Sequence, residues 1–328
     1  MSYTYSALSS VHNMKTKIAI VLAFLAATVL VIGAVASMLP AAALGGPSQT
    51  VVYNNIPNPQ PGNVPSLGYE ATSTSEFGGQ VQLDGGANKN PKVTVLMSSW
   101  ACKSGSWNNQ NCITNPGSTF SHPITLNIYE ANGDNSPGSL VATSTKTFDM
   151  PYRPTADDGT NCNAGNGKAG QWWNGTSCFN GKAFTISFNL DDVTLPDSAI
   201  ISVAYNTSHY GYAPLGTNAC NSTPQGCPYD SLNVGTAPTP SVGEALPTVD
   251  DAYLNSTWAG AYCDSGAGGT NVFRLDAGCW TGYLPAFKVE AAGKKSRSNN
   301  GHHYGQYKQH GNSESHKHQG QFYHLGND

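Results

Sequence analysis

Apolar residues in this chain recur at every second position, and beyond its N-terminal region no segment keeps the 3.6-residue period of a helix. Ile124, Leu126 and Ile128 alternate with Thr125, Asn127 and Tyr129, and Phe184, Ile186, Phe188 and Leu190 alternate with Thr185, Ser187 and Asn189. Val93, Val95 and Met97 repeat the pattern, as do Ile201, Val203 and Tyr205, then Phe287 and Val289. A period of two puts successive side chains on opposite faces of a strand, so each segment carries one apolar face that must be covered. Turn-forming residues separate the segments: Asp84-Gly85-Gly86, Asn132-Gly133-Asp134 with Pro137-Gly138, and Leu195-Pro196-Asp197. The expected fold is all-β, and two facing sheets in a β-sandwich are favoured over a barrel.

Eight cysteines fall into four sequential couples: Cys102 and Cys112, Cys162 and Cys178, Cys220 and Cys227, Cys263 and Cys279. None belongs to a Cys-x-x-Cys pair, so zinc ribbons and dithiol redox motifs are not supported. Pairing within each couple is the simplest connectivity, because each encloses a Gly-, Asn- and Ser-rich stretch without core residues. Disulfides of this kind belong to an oxidising compartment. The N-terminus agrees. Ile18–Ala36 is a nearly uninterrupted apolar run preceded by Lys15 and Lys17, with small residues at Ala34-Val35-Ala36 and again at Ala41-Ala42-Ala43. These are the parts of a secretory signal, and the run is also long enough to span a bilayer if it is retained. Residues 1–43 are therefore expected to be a signal peptide or a helical membrane anchor, and the rest to be extracellular or at the cell surface.

Residues 44–291 form the expected sandwich domain, interrupted by two long inserts at about 151–182 and 210–282. Residues 292–328 form a polar tail that holds six of the nine histidines. The body carries nine Lys/Arg against eighteen Asp/Glu, a net charge of −9, which gives no footprint for a phosphate backbone; nucleic acid is not an expected partner.

The hairpin Ile124–Glu130 with its Pro137-Gly138 turn and Ser139–Thr143 resembles a hairpin of secreted bacterial jelly-roll modules. Phe184–Leu190, Val193–Pro196 and Ala199–Tyr205 resemble their later strands, and the stretch from Tyr53-Asn54-Asn55-Ile56-Pro57 to Phe77-Gly78-Gly79 is similar to the start of uncharacterised exported proteins of that type. The resemblance implies a lectin-like or surface-attached sandwich and carries no catalytic residues over.

Catalytic motifs are absent or out of context. Asp264-Ser265-Gly266 resembles a serine-protease nucleophile segment, but neither His122 nor His209 has the surroundings of a general base. Gly165–Gly170 matches G-x-G-x-x-G without the strand before it and helix after it that would hold a phosphate. The adjacent acids Asp157-Asp158, Asp191-Asp192 and Asp250-Asp251 read as solvated turns, since glycoside hydrolysis needs carboxylates across a cleft. No catalysis is expected and no cofactor is required. Two metal sites are candidates: calcium in the turn holding Asn132 and Asp134, with Ser136 as a further oxygen, and a transition-metal ion on the tail, for which His302, His303, His316 and His318 are the ligands named.

The tryptophans need cover, which for most of them is expected to be a local mini-core of disulfide and neighbouring loops, and for the adjacent pair a ligand. An indole left in water is costly, and the apolar face of a sugar ring, with Asn side chains bonding its hydroxyls, is one way to cover it. Trp172, Trp173 and Asn174, inside the 162–178 couple, are the first candidates, because neighbours in an extended segment point to opposite sides and rarely both bury. Trp107 and Asn108, inside the 102–112 couple, are the second. The expectation is a glycan-binding surface module whose partner is a glycan or another cell-envelope component. A self-assembling surface protein is the alternative reading, and a secreted hydrolase ranks last. Contact with a membrane is expected only if the apolar N-terminal segment is kept. Four sequons, at Asn174, Asn206, Asn221 and Asn255, are acceptors only in a host with the machinery.

Overall fold

The structure, a computed structural model, describes residues 48–208 and 227–293. These are all-β, with sixteen strands and no α-helix among the described residues. The first nine strands are β1 (Thr50–Asn54), β2 (Ser66–Gly68), β3 (Thr74–Gln82), β4 (Lys89–Ser99), β5 (Thr119–Ala131), β6 (Pro137–Pro151), β7 (Trp172–Trp173), β8 (Cys178–Phe179) and β9 (Lys182–Asn189). They are followed by β10 (Ser198–Ala204), β11 (Leu232–Ala237), β12 (Glu244–Leu246), β13 (Asp251–Ser256), β14 (Arg274–Ala277), β15 (Leu284–Pro285) and β16 (Phe287–Ala292). The expected N-terminal helix at 18–36, Cys220 and the histidine tail all lie outside the described residues. No helix among the described residues is long and apolar enough to cross a membrane.

Two seven-stranded antiparallel sheets carry the fold. One runs β1-β16-β4-β11-β15, with β9 on the other side of β4 and β2 on the other side of β11; the second runs β14-β13-β3-β10-β5-β6, with β12 also on β3. Their inner faces meet in a single apolar cluster. Val93, Val95 and Met97 of β4, Phe188 of β9 and Phe287 and Val289 of β16 enter it from the first sheet; Phe77 of β3, Leu126 and Ile128 of β5 and Ile201 and Val203 of β10 enter from the second. Every alternating segment read from the sequence is one of these strands, and its apolar residues face this cluster.

Two buried tyrosines link the layers. Tyr69 and Tyr205 stack with ring centroids 4.2 Å apart. The Tyr69 hydroxyl donates to the Val203 carbonyl at 2.5 Å, and the Tyr205 hydroxyl to Leu232 of the opposite sheet at 2.6 Å. Burial pushes both phenols well above their ordinary pKa. Close approach of strands is the other device. A Cβ on Gly78, in the middle of β3, would collide with the Ile201 carbonyl and Ser202 of β10, so glycine is required where these strands meet.

The sequence reading needs one correction here. The segment at about 210–282 is not simply a loop insert, because β11 and β13 within it are interior strands, β11 against β4 and β13 against β3. Asp251–Ser256 is buried at five of its six positions, on both faces, so it never alternates and the period-two signal is lost. The other insert, 151–182, contains only the two-residue pair β7 and β8 and a single 3-10 turn at Ala164–Asn166.

Three disulfides join the couples expected from spacing: Cys102–Cys112, Cys162–Cys178 and Cys263–Cys279. Cys227 is also disulfide-bonded. The first two loops form one lobe around Arg153, which is fully buried. Its backbone N–H donates to Ala101 at 2.9 Å and its guanidinium to the Gly170 carbonyl at 2.7 Å, tying one loop to the other. Burial lowers the Arg153 pKa to about 10.

Asp157 organises the second loop. One of its carboxylate oxygens accepts from the amides of Gly159, Asn161 and Cys162 at 2.9–3.0 Å, and the other from the Asn161 side chain. The Cys162 amide and the Asn161 side chain are the main reasons that its pKa falls to about 2. Because the folded value lies below the unfolded one, the bonds to Asp157 support the loop at pH above about 4 and are lost as pH falls through about 2. Amide exchange at Gly159, Asn161 and Cys162 is expected to lose its protection over that window, and at every pH in Asp157→Ala. Protection unchanged at pH 1.5 would contradict this assignment.

Candidate functional site

β2 pairs with β11, setting Gly68 opposite Asn233 and Ser66 opposite Gly235. β11 pairs on its other side with the end of β4, where Leu232 meets Ser99. The chain then continues into Trp100, whose backbone N–H donates to the Ser231 carbonyl at 2.8 Å. Three segments distant in sequence thereby converge on one edge of the first sheet. They enclose a cleft of about 510 Å³, lined by Val64, Ser66 and Glu70 from the first, Trp100, Trp107 and Asn108 from the second, and Asp230, Ser231 and Asn233 from the third.

Trp107 stands within the loop closed by Cys102–Cys112. The Ser106 amide donates to the Asn111 side chain at 2.9 Å, and the Trp107 carbonyl accepts from Gln110. Its ring meets Trp100 edge to face, with centroids 4.8 Å apart and planes at 83°. Trp107 is 38% exposed, while the Trp100 indole N–H is taken by Ser98 Oγ at 3.1 Å. Behind Trp100 runs Gly181, where any side chain would collide with the indole. The Gly181 carbonyl accepts the Trp172 indole N–H at 2.7 Å.

Trp172 is thereby a support rather than a platform. It is 5% exposed, packs on Phe179 at 5.4 Å, and carries Lys182 Nζ over its ring at 5.3 Å. Trp172, expected as a ligand contact, is instead buried, with its indole N–H taken by the Gly181 carbonyl. Trp173, on the opposite side of β7, is 37% exposed but lines no described cleft. Asn174 Oδ1 is occupied by the Thr176 and Ser177 amides at 2.9 and 2.8 Å, closing a turn. Of the ligand-binding candidates, the second pair, Trp107 and Asn108, lines the cleft, and Trp172, Trp173 and Asn174 do not.

The acids of the cleft, Glu70 and Asp230, escaped the sequence reading. Neither lies in a motif, and strand pairing across more than 150 positions brings them to one edge. Asp230 is pushed up to about 6 by burial; the hydrogen bond from Ser231 opposes this, and the charge of Glu70 adds a lesser upward push. No Lys, Arg or His is among the described residues that line the cleft. A second recess of about 380 Å³, bounded by Asn54, Gln60, Thr94, Thr185 and Lys288 among others, has no aromatic ring in its wall.

The other candidates have structural explanations. The Asn132 amide donates to Ser136 Oγ at 2.9 Å, while Asp134 accepts from the Ser136 amide and hydroxyl, which hold the β5–β6 turn. Those hydroxyl and amide bonds lower the Asp134 pKa. Asp264 accepts from the Gly266 and Gly268 amides and pairs with Arg274 at 2.9 Å, so Asp264-Ser265-Gly266 is a turn. Asp276, close to the Cys263–Cys279 sulfurs, accepts from the Cys263 amide and the Trp280 indole, each at 2.9 Å, while those sulfurs are bonded to each other. The histidines at 302, 303, 316 and 318 lie outside the described residues. No protein-family profile, curated protein or solved structure matches the chain.

Proposed function

We propose that this protein is an exported binding module, extracellular or cell-surface, that holds glycans in the cleft between β2, β11 and the 102–112 loop. The observation that carries the reading is the placement of two indoles at right angles with amide, hydroxyl and carboxylate groups on one recess. Sugar rings present C–H faces that cover aromatic rings and hydroxyls that need polar partners, and the cleft offers both. Three disulfides support export to an oxidising compartment. The two facing sheets are consistent with a jelly-roll type of sandwich, which we adopt as the finer description of the fold.

Glycan-array and polysaccharide pull-down assays test the reading. Trp107→Ala is expected to weaken binding at least tenfold, on the order of 1.5–2 kcal/mol for loss of a central aromatic contact. Trp173→Ala is expected to leave it unchanged. Binding that survives Trp107→Ala but is lost in Trp173→Ala would move the site to the other loop and contradict the proposal.

Self-association is a second reading, favoured by β6. This strand has fifteen residues, stands at the end of its sheet, and pairs with β5 alone among the described strands. Electron microscopy of purified protein separates the two: filaments or arrays support self-association, and a monodisperse monomer removes it.

A further inference from the structure

We infer that the cleft selects sugars bearing an ammonium group, as in a deacetylated amino-sugar polymer, over neutral and acidic glycans. The inference rests on the reading of the cleft as a glycan site and names the class of glycan. Its walls combine two features that each attract a cation. The first is the Trp100–Trp107 pair: indoles present the most electron-rich faces among side chains, and their planes cross at 83° with centroids 4.8 Å apart. The second is the carboxylates of Glu70 and Asp230, which share the cleft with those rings.

The charged groups of the cleft are of one sign. Glu70 and Asp230 repel one another, and no basic side chain among the described residues lining the cleft offsets them. Glu70 is exposed and Asp230 half-buried, and an ammonium beside the pair offsets their repulsion. A sugar carboxylate or sulfate would add a third negative charge to the same recess. The exported body, at nine Lys/Arg to eighteen Asp/Glu, adds an attractive long-range field for a polycation. Asn108 remains to bond the hydroxyls of the ring, beside Asn233, whose amide donates to Ser66 Oγ at 3.1 Å.

The experiment is calorimetric titration of the full exported chain at pH 6.5 with four tetrasaccharides, of glucosamine, N-acetylglucosamine, glucose and galacturonate, and with choline. The expected result is at least tenfold tighter binding of the glucosamine tetramer than of the glucose or N-acetylglucosamine tetramers. No binding of galacturonate is expected, and choline should bind more weakly than the glucosamine tetramer. Glu70→Gln and Asp230→Asn, each verified as folded by circular dichroism, are expected to bring the glucosamine tetramer down to the affinity of the neutral sugars.

Equal affinity for charged and neutral tetramers, or a preference that survives both substitutions, overturns the inference and leaves glycan binding standing. Choline binding tighter than every sugar overturns the assignment to an amino sugar in favour of a free quaternary ammonium ligand. Absence of binding by every tetramer overturns the glycan reading and the inference together.

Discussion

Replacing Cys102 and Cys112 together by serine is expected to cost about 3 kcal/mol of stability and to abolish ligand binding at the cleft. The first effect follows from chain entropy: the bridge closes a loop with a sequence separation of 10, and releasing it returns conformational freedom to the unfolded chain. The second follows from position. Trp107 and Asn108 belong to that loop, which holds them against Trp100 through turn hydrogen bonds among Ser106, Asn109, Gln110 and Asn111. Such bonds contribute about 1 kcal/mol each and cannot hold the loop tip alone. The control is Cys263→Ser with Cys279→Ser. Its loop, with a separation of 16, is expected to cost a similar amount of stability while leaving the cleft and its binding intact. Urea titration gives the stability and ligand titration gives the binding. Equal loss of binding in both double variants would mean that the 102–112 bridge has no particular role in the site.

Phe77→Ala should show the largest destabilisation of any single substitution named here, about 3–5 kcal/mol. Phe77 is fully buried in the middle of β3, the strand flanked by β10 on one side and by β12 and β13 on the other, and its ring lies 5.0 Å from Trp280. Truncation removes a large apolar surface and leaves a cavity that flanking strands cannot close without breaking their ladders. Since both sheets contribute to one apolar cluster, the loss is expected to lower a single cooperative transition. Tryptophan fluorescence and far-ultraviolet circular dichroism should report the same urea midpoint, shifted down without change in slope. Two separated transitions would show that the sheets do not share a core.

The alternation of Ile124, Leu126 and Ile128, and of Ile186 with Phe188, made the strands legible because each covers the core with one face only. β13 was illegible because Ala252, Tyr253 and Leu254 are all buried, and continuous burial erases the period. Local disulfide pairing was legible from spacing, since short loops without core residues have little else to pin them. The cleft was half legible. Trp107 and Asn108 stood out beside Cys112, whereas Glu70, Asp230 and Asn233 became neighbours through the pairing of β2 with β11, a contact that no local pattern encodes. Alternation along β7 puts one indole of the adjacent pair inward, Trp172, which found a carbonyl partner, and leaves Trp173 exposed.

Nitrogen-labelled tryptophan offers the most direct test, because the six indole N–H groups report separately on every contending surface. On titration with the glucosamine tetramer, the Trp100 and Trp107 signals are expected to move together and to saturate at one affinity. Those of Trp172 and Trp280, bonded to Gly181 and Asp276, should stay in place. Shifts confined to Trp173 or Trp258, with Trp100 and Trp107 still, would contradict the account.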